Sequence, residues 1–104
     1  MGSSTRLAEH YDIRAEQQML ARYAAAGKLQ SLTPQELDAR NAPVTIYPRP
    51  RRVRAWVRFG TQHALVRARL VRTTSTAAGI EFKIGDEVAR CWVWGNAVQV
   101  ADDS

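Results

Sequence analysis

Cysteine is nearly absent from this 104-residue chain: Cys91 stands alone, which excludes an intramolecular disulfide and a cysteine-rich zinc site. No apolar run nears the ~20 residues that a membrane-spanning helix needs. The first residues lack the basic-then-apolar layout of a secretory signal. Together these absences predict a cytoplasmic protein with no membrane partner. Lysine is scarce as well, because Lys28 and Lys83 are the only two and arginine carries the remaining positive charge. With 6 glycines, 4 prolines and 45% hydrophobic residues, the composition is that of a folded globular chain, not a low-complexity tail. At this length a single domain spanning 1–104 is expected.

Catalytic signatures are also missing. The chain holds no glycine-rich phosphate loop, no nucleophile elbow and no His-Glu zinc motif. His10 and His63 have no acid at a telling spacing and read as helix and strand-start residues. Asp86-Glu87 and Asp102-Asp103 read as a solvated turn and tail. Cys91 alternates with Ala89 and Val93, as a small core residue would. The expectation is a non-enzymatic protein with no cofactor and no metal.

What is present is arginine, concentrated in one place. The net charge is +5. Residues 1–42 carry five basic and five acidic side chains, and residues 73–104 carry two basic and five acidic ones. Between them, residues 49–72 hold Arg49, Arg51, Arg52, Arg54, Arg58, Arg67, Arg69 and Arg72 with no acid at all.

The periodicity divides the chain into a helical part (5–42), a Pro/Arg-rich connector (43–51) and an antiparallel β part (52–100). Residues 5–26 read as a helix whose apolar arc gathers Ile13, Ala15, Met19, Leu20, Tyr23, Ala24 and Ala26, interrupted by Glu16. Gly27 reads as its left-handed stop. Thr33-Pro34-Gln35-Glu36 is a capping box with proline at the first helical position, predicting a second helix over Pro34–Arg40. The two would form a helical hairpin. After Pro48-Arg49-Pro50 the period becomes two. Val53, Ala55, Val57 and Phe59 alternate with Arg52, Arg54, Trp56 and Arg58. Further strands are expected over 64–71, 80–84, 88–94 and 98–100, with turns at Gly60 and Gly85. The fold class is therefore α+β, with the helical hairpin packed on a five-stranded antiparallel sheet or a small SH3-like β-barrel. Trp92-Val93-Trp94 followed by Gly95-Asn96-Ala97-Val98 resembles the end of SH3-like barrels, a likeness of fold that implies no function.

If the first two strands pair through the Gly60 turn, Arg52, Arg54, Arg58, Arg67 and Arg69 share one face with Trp56. Like charges directly opposite each other destabilise a sheet, and phosphates relieve them through bidentate guanidinium contacts. Trp92 and Trp94 admit three arrangements: outward beside Trp56, inward as core anchors, or outward beneath the first helix. The size of the indole favours placing at least two of the three tryptophans in the core or under the helix. The candidate nucleic-acid or anion-binding residues are Arg49, Arg51, Arg52, Arg54, Trp56, Arg58, Arg67, Arg69 and Arg72, with Trp92 and Trp94 as aromatic contacts. The leading expectation is a small non-catalytic protein that contacts nucleic acid or another polyanion through an arginine-rich β-hairpin. The alternative is a protein-interaction or assembly module, homodimers included, that uses Trp/Arg surface or the first helix.

Overall fold

A computed structural model describes residues 2–101, with side chains from residue 9 onward. Asp102 and Asp103 lie outside the described residues. The elements in chain order are helix α1 (Gly2–Ala26), helix α2 (Pro34–Leu37) and strands β1 (Thr45–Phe59), β2 (Gln62–Thr73), β3 (Ala77–Ile84) and β4 (Glu87–Trp94). A short 3₁₀ turn (Gly95–Ala97) leads into β5 (Val98–Val100). The strands form one antiparallel sheet in the order β4-β3-β2-β1-β5, so the α+β class holds.

Period-two alternation builds the core directly. Val53, Ala55, Val57 and Phe59 on β1 are buried, and so are Ala64, Val66 and Ala68 on β2, while the intervening arginines on β1 are exposed. Ile80, Phe82 and Cys91 complete the layer from β3 and β4. Phe59, only 1% exposed, packs edge-on against Phe82 with centroids 6.4 Å apart and tilted against Tyr23 at 6.5 Å. Burying such a ring contributes about 1.5–3 kcal/mol, and each aromatic pair adds about 0.5–1.5 kcal/mol. The turns at Gly60 and Gly85 have φ of +58° and +62°, the region where only glycine escapes a Cβ penalty.

The barrel does not close, because β4 and β5 remain the two ends of the strand order. Residues 28–32 run through the gap between β1 and β4. Leu29 bridges Phe59, the Gln30 N–H donates to the Arg58 carbonyl at 2.9 Å, and the Gly60 N–H donates to the Lys28 carbonyl. On the other side the Leu32 N–H donates to the Trp92 carbonyl at 3.0 Å, and the Trp92 N–H donates to Ser31 Oγ at 2.8 Å. A single extended segment thus satisfies backbone groups on two strands without completing a ladder with either.

The helical hairpin is not formed either. The Thr33 capping box is present, with the Glu36 N–H donating to Thr33 Oγ1 and the Thr33 N–H donating to Glu36 Oε1. The helix it starts, however, spans only four residues. Asp38 adopts a left-handed conformation (φ 52°), its N–H turns back to the Pro34 and Gln35 carbonyls, and Asn41 Nδ2 donates to Asp38 Oδ1 at 3.1 Å. These local bonds end α2 before Arg40.

Among the described residues, helix α1 docks through its C-terminal half. Leu20 is buried and Met19 and Tyr23 are half-buried, whereas Ile13, Ala15, Ala24 and Ala26 of the expected apolar arc are exposed. Polar residues do much of the docking. Gln17 brackets the β3–β4 turn, its Nε2 donating to the Lys83 carbonyl at 2.9 Å and its Oε1 accepting from the Gly85 N–H at 2.7 Å. Glu16, which breaks the apolar arc, lies 3.5 Å from Arg67.

The Pro/Arg-rich stretch belongs to β1. Between the pairs Ile46–Arg72 and Arg51–Leu70, the residues Tyr47–Pro50 stand opposite Val71 alone, as an irregular bulge of four residues against one. Val71 is also the extra residue against β3, between the pairs Leu70–Ile80 and Arg72–Gly79.

Candidate nucleic-acid interface

The register of the first hairpin assembles the arginine face. Arg52 pairs with Arg69, Arg54 with Arg67, Trp56 with Leu65 and Arg58 with His63. All of these lie opposite the buried face, since their neighbours Val53, Ala55, Val57, Ala64, Val66 and Ala68 fill the core. Arg52 and Arg69, and Arg54 and Arg67, are therefore like-charged pairs directly across from each other, an arrangement that costs about 0.2–1 kcal/mol each. Of these four, Arg67 has an ion-pair partner among the described residues, Glu16 at 3.5 Å, whereas Glu81, the cross-strand partner of Arg69, is taken by Arg90 at 3.2 Å. Among the described residues, no acid forms an ion pair with Arg52, Arg54 or Arg58.

The Val71 bulge brings Arg72 onto this same face. One extra residue shifts the alternation, so Arg72 stands beside Gly79, outward like Arg69 despite the odd spacing. Gly79 in turn carries the Trp92 ring: a Cβ there would lie 3.4 Å from Trp92 Cη2 and Cζ2 and 3.3 Å from Arg72 Cβ. Arg49 and Arg51 do not join the ladder. Arg51 alternates with the outward set, opposite Leu70, and Arg49 sits in the bulge. Together with Tyr47 and Pro48 they line a separate hollow of about 420 Å³.

None of the tryptophans is a core residue, which overturns the expectation for at least two of them. Trp56 is 43% exposed, Trp94 is 42% exposed and Trp92 is half-buried. The reason is the parity of β4. Cys91 pairs with Ile80 on the buried face, so Trp92 and Trp94 point the other way, over Gly79 and Ala77. Helix α1 makes its main contacts with β1, β2 and β3 instead.

The curl of the sheet, bridged by residues 28–32, then brings β1 and β4 to the two sides of one cleft of about 500 Å³. Trp56 and Arg58 line it from β1, Trp92 and Trp94 from β4, and Gln30 to Leu32 lie between them. His63 also lines the cleft, its ring tilted on Trp56 at a centroid distance of 5.5 Å. Glu36 reaches the same cleft from α2. Sequence reasoning missed His63, although the hairpin register places it diagonally from Trp56. Glu36 could not be found that way, because only the tertiary path of residues 28–36 carries it to the sheet.

The remaining reactive group is inert by position. Cys91 is 5% exposed, and burial pushes its thiol up to about 11. Among the described residues no cluster of histidine, cysteine and acid is arranged to hold a metal, and no helix is long and apolar enough to cross a membrane.

Compared with known protein families, with curated proteins and with solved structures, the chain matches none.

Proposed function

We propose that this protein is a non-catalytic nucleic-acid-binding module whose contact surface is the outward face of the β1–β2 hairpin. One observation carries the reading: the facing pairs Arg52–Arg69 and Arg54–Arg67 continue along the strands into Trp56, Arg58 and His63. A sheet gains nothing by placing guanidiniums opposite each other. A phosphate backbone gains from them, since each guanidinium offers a planar pair of donors that matches phosphate oxygens. Exposed indole beside such a ladder adds the flat surface on which unpaired bases stack.

A salt titration against single- and double-stranded DNA and RNA tests the reading. Affinity should fall linearly on a log–log plot of binding against salt, with a slope near −0.7 to −0.9 for each phosphate contacted. Replacing Arg52, Arg54 or Arg58 with glutamine should lower that slope by about one each, without regard to base sequence. Absence of binding to every probe at low salt would sink it.

A second reading has its own support. Tyr11 (59% exposed) and Ile13 (45% exposed) are exposed apolar side chains on α1 ahead of its docked half, of the kind that protein partners cover. Under that reading, changing Tyr11 and Ile13 to serine abolishes partner capture or self-association and leaves salt-dependent binding to nucleic acid untouched.

A further inference from the structure

We infer that the cleft between β1 and β4 seats an unpaired nucleobase of the bound strand and selects bases that carry an exocyclic amino group. The inference rests on the nucleic-acid reading above and names what that surface would recognise. Indoles bound the cleft on both sides, Trp56 from β1 and Trp92 and Trp94 from β4, in a space of about 500 Å³. A duplex keeps its bases stacked inside, so only a single strand, a loop or an end can present a base to such a cleft. Arg58 on the rim continues the row that runs back through Arg54 to Arg52, which sets the phosphates of the same strand alongside.

The cleft is held before any ligand arrives. Residues 30–32 are tied to Arg58 on one side and to Trp92 on the other by backbone hydrogen bonds of 2.9 and 3.0 Å. Gln30 Nε2 adds a bond to the Gly60 carbonyl at 3.1 Å. Stacking on a preformed surface avoids the ordering cost that a mobile loop would impose.

Selectivity follows from Glu36. Oε1 accepts from the Thr33 N–H at 3.0 Å, which fixes the carboxylate at the cleft, and Oε2 accepts no hydrogen bond among the described residues. A carboxylate only accepts. It therefore favours an amino edge, such as that of cytosine N4, over the carbonyl that thymine and uracil present at the same position. The guanidinium of Arg58 lines the same cleft as the Glu36 carboxylate and offsets its charge, which argues against an organic cation there.

The test uses the full chain, with tryptophan emission and affinity read together against single-stranded oligodeoxycytidine, single-stranded oligodeoxythymidine and a mixed-sequence duplex. We expect both single strands to quench the emission and the duplex to do so weakly. Trp56→Leu, at an exposed position, should weaken single-strand binding about tenfold with the salt slope unchanged. Oligodeoxycytidine should bind about fivefold more tightly than oligodeoxythymidine. Glu36→Gln preserves the capping box, and it should erase that preference without weakening binding to oligodeoxythymidine. Salt-dependent binding with no quenching and no effect of Trp56→Leu overturns the cleft while leaving the arginine reading intact. Equal affinity for the two single strands overturns the role given to Glu36. Loss of all binding at low salt removes the arginine reading and the cleft with it. Quenching by a trimethyllysine peptide, but by no oligonucleotide, assigns the cleft to a cation and overturns the inference.

Discussion

Gly27 lies with its α-carbon against the Phe59–Gly60 peptide, so closely that a Cβ there would stand 2.9 Å from Phe59 C, Phe59 O and Gly60 N. The sequence suggests a left-handed helix stop at this position, yet its φ is not positive, and the glycine is needed for close approach instead. The two explanations make opposite forecasts. A glycine with ordinary φ gains about 0.4–1 kcal/mol on change to alanine when space allows. Here the new methyl meets backbone, and Gly27→Ala should cost about 1–3 kcal/mol. A urea midpoint that rises in the variant would refute the packing account.

The facing arginines should oppose stability to binding. Arg54→Gln removes one like-charged pair and should raise stability by about 0.2–1 kcal/mol at low ionic strength. The gain should shrink as salt screens the ladder. The same change should lower the salt slope of nucleic-acid binding. Thermal melts at two salt concentrations, beside the binding titration, check both signs in one variant.

Gln17 ties the long helix to the β3–β4 turn through two hydrogen bonds made by one side chain. Gln17→Ala should cost about 1–2 kcal/mol, since two good bonds are lost at a half-exposed site. Hydrogen exchange at the Gly85 amide should accelerate more than exchange at the Trp92 amide, which Ser31 Oγ holds independently. Equal acceleration of the two would mean that the side chain supports the whole fold and not one turn.

Burial of Cys91 sets a pH dependence with a definite sign. Its thiol titrates near 9.0 when unfolded and near 11 in the native protein, so between those values the native state holds more proton than the unfolded one. Stability is then undiminished below pH 9 and falls as pH rises through the native value, by a total on the order of 2–3 kcal/mol. Cys91→Ala should flatten this component of the profile between pH 9.0 and about 11. Denaturation at a series of alkaline pH values compares the two proteins. A parallel decline in both would assign the loss to other groups.

The sheet could be read from the chain because its signal is local. Arg52 to Phe59 alternates without a fault, and the structure buries every second residue. Gly60 and Gly85 fall at the turns for a reason written in φ. Elsewhere the decisive forces act at a distance. Trp92 and Trp94 alternate with Ala89, Cys91 and Val93, so both faces of β4 are apolar and pattern alone cannot choose the inward one. The choice is made by Ile80 opposite Cys91 and by the glycine that accommodates the Trp92 ring. The second helix stops early because the Asp38 turn outcompetes a helix that buries no residue of its own. The cleft was invisible in the sequence, since it is made by strands that occupy separate positions in the sheet order and by a segment that precedes both.

The Tyr47–Pro50 bulge has a bearing on how this molecule behaves in a crowded solution. Among the described residues, β5 covers the outer edge of β1 only at Val53–Ala55, which leaves the stretch before it open. An uncovered edge offers a row of backbone donors and acceptors on which another chain can grow. Pro48 and Pro50 contribute no N–H to such a row, and Arg49, Arg51 and Arg52 would have to face their own copies across any edge-to-edge contact. The segment richest in arginine is thus also one that proline and like charge keep from templating a further strand.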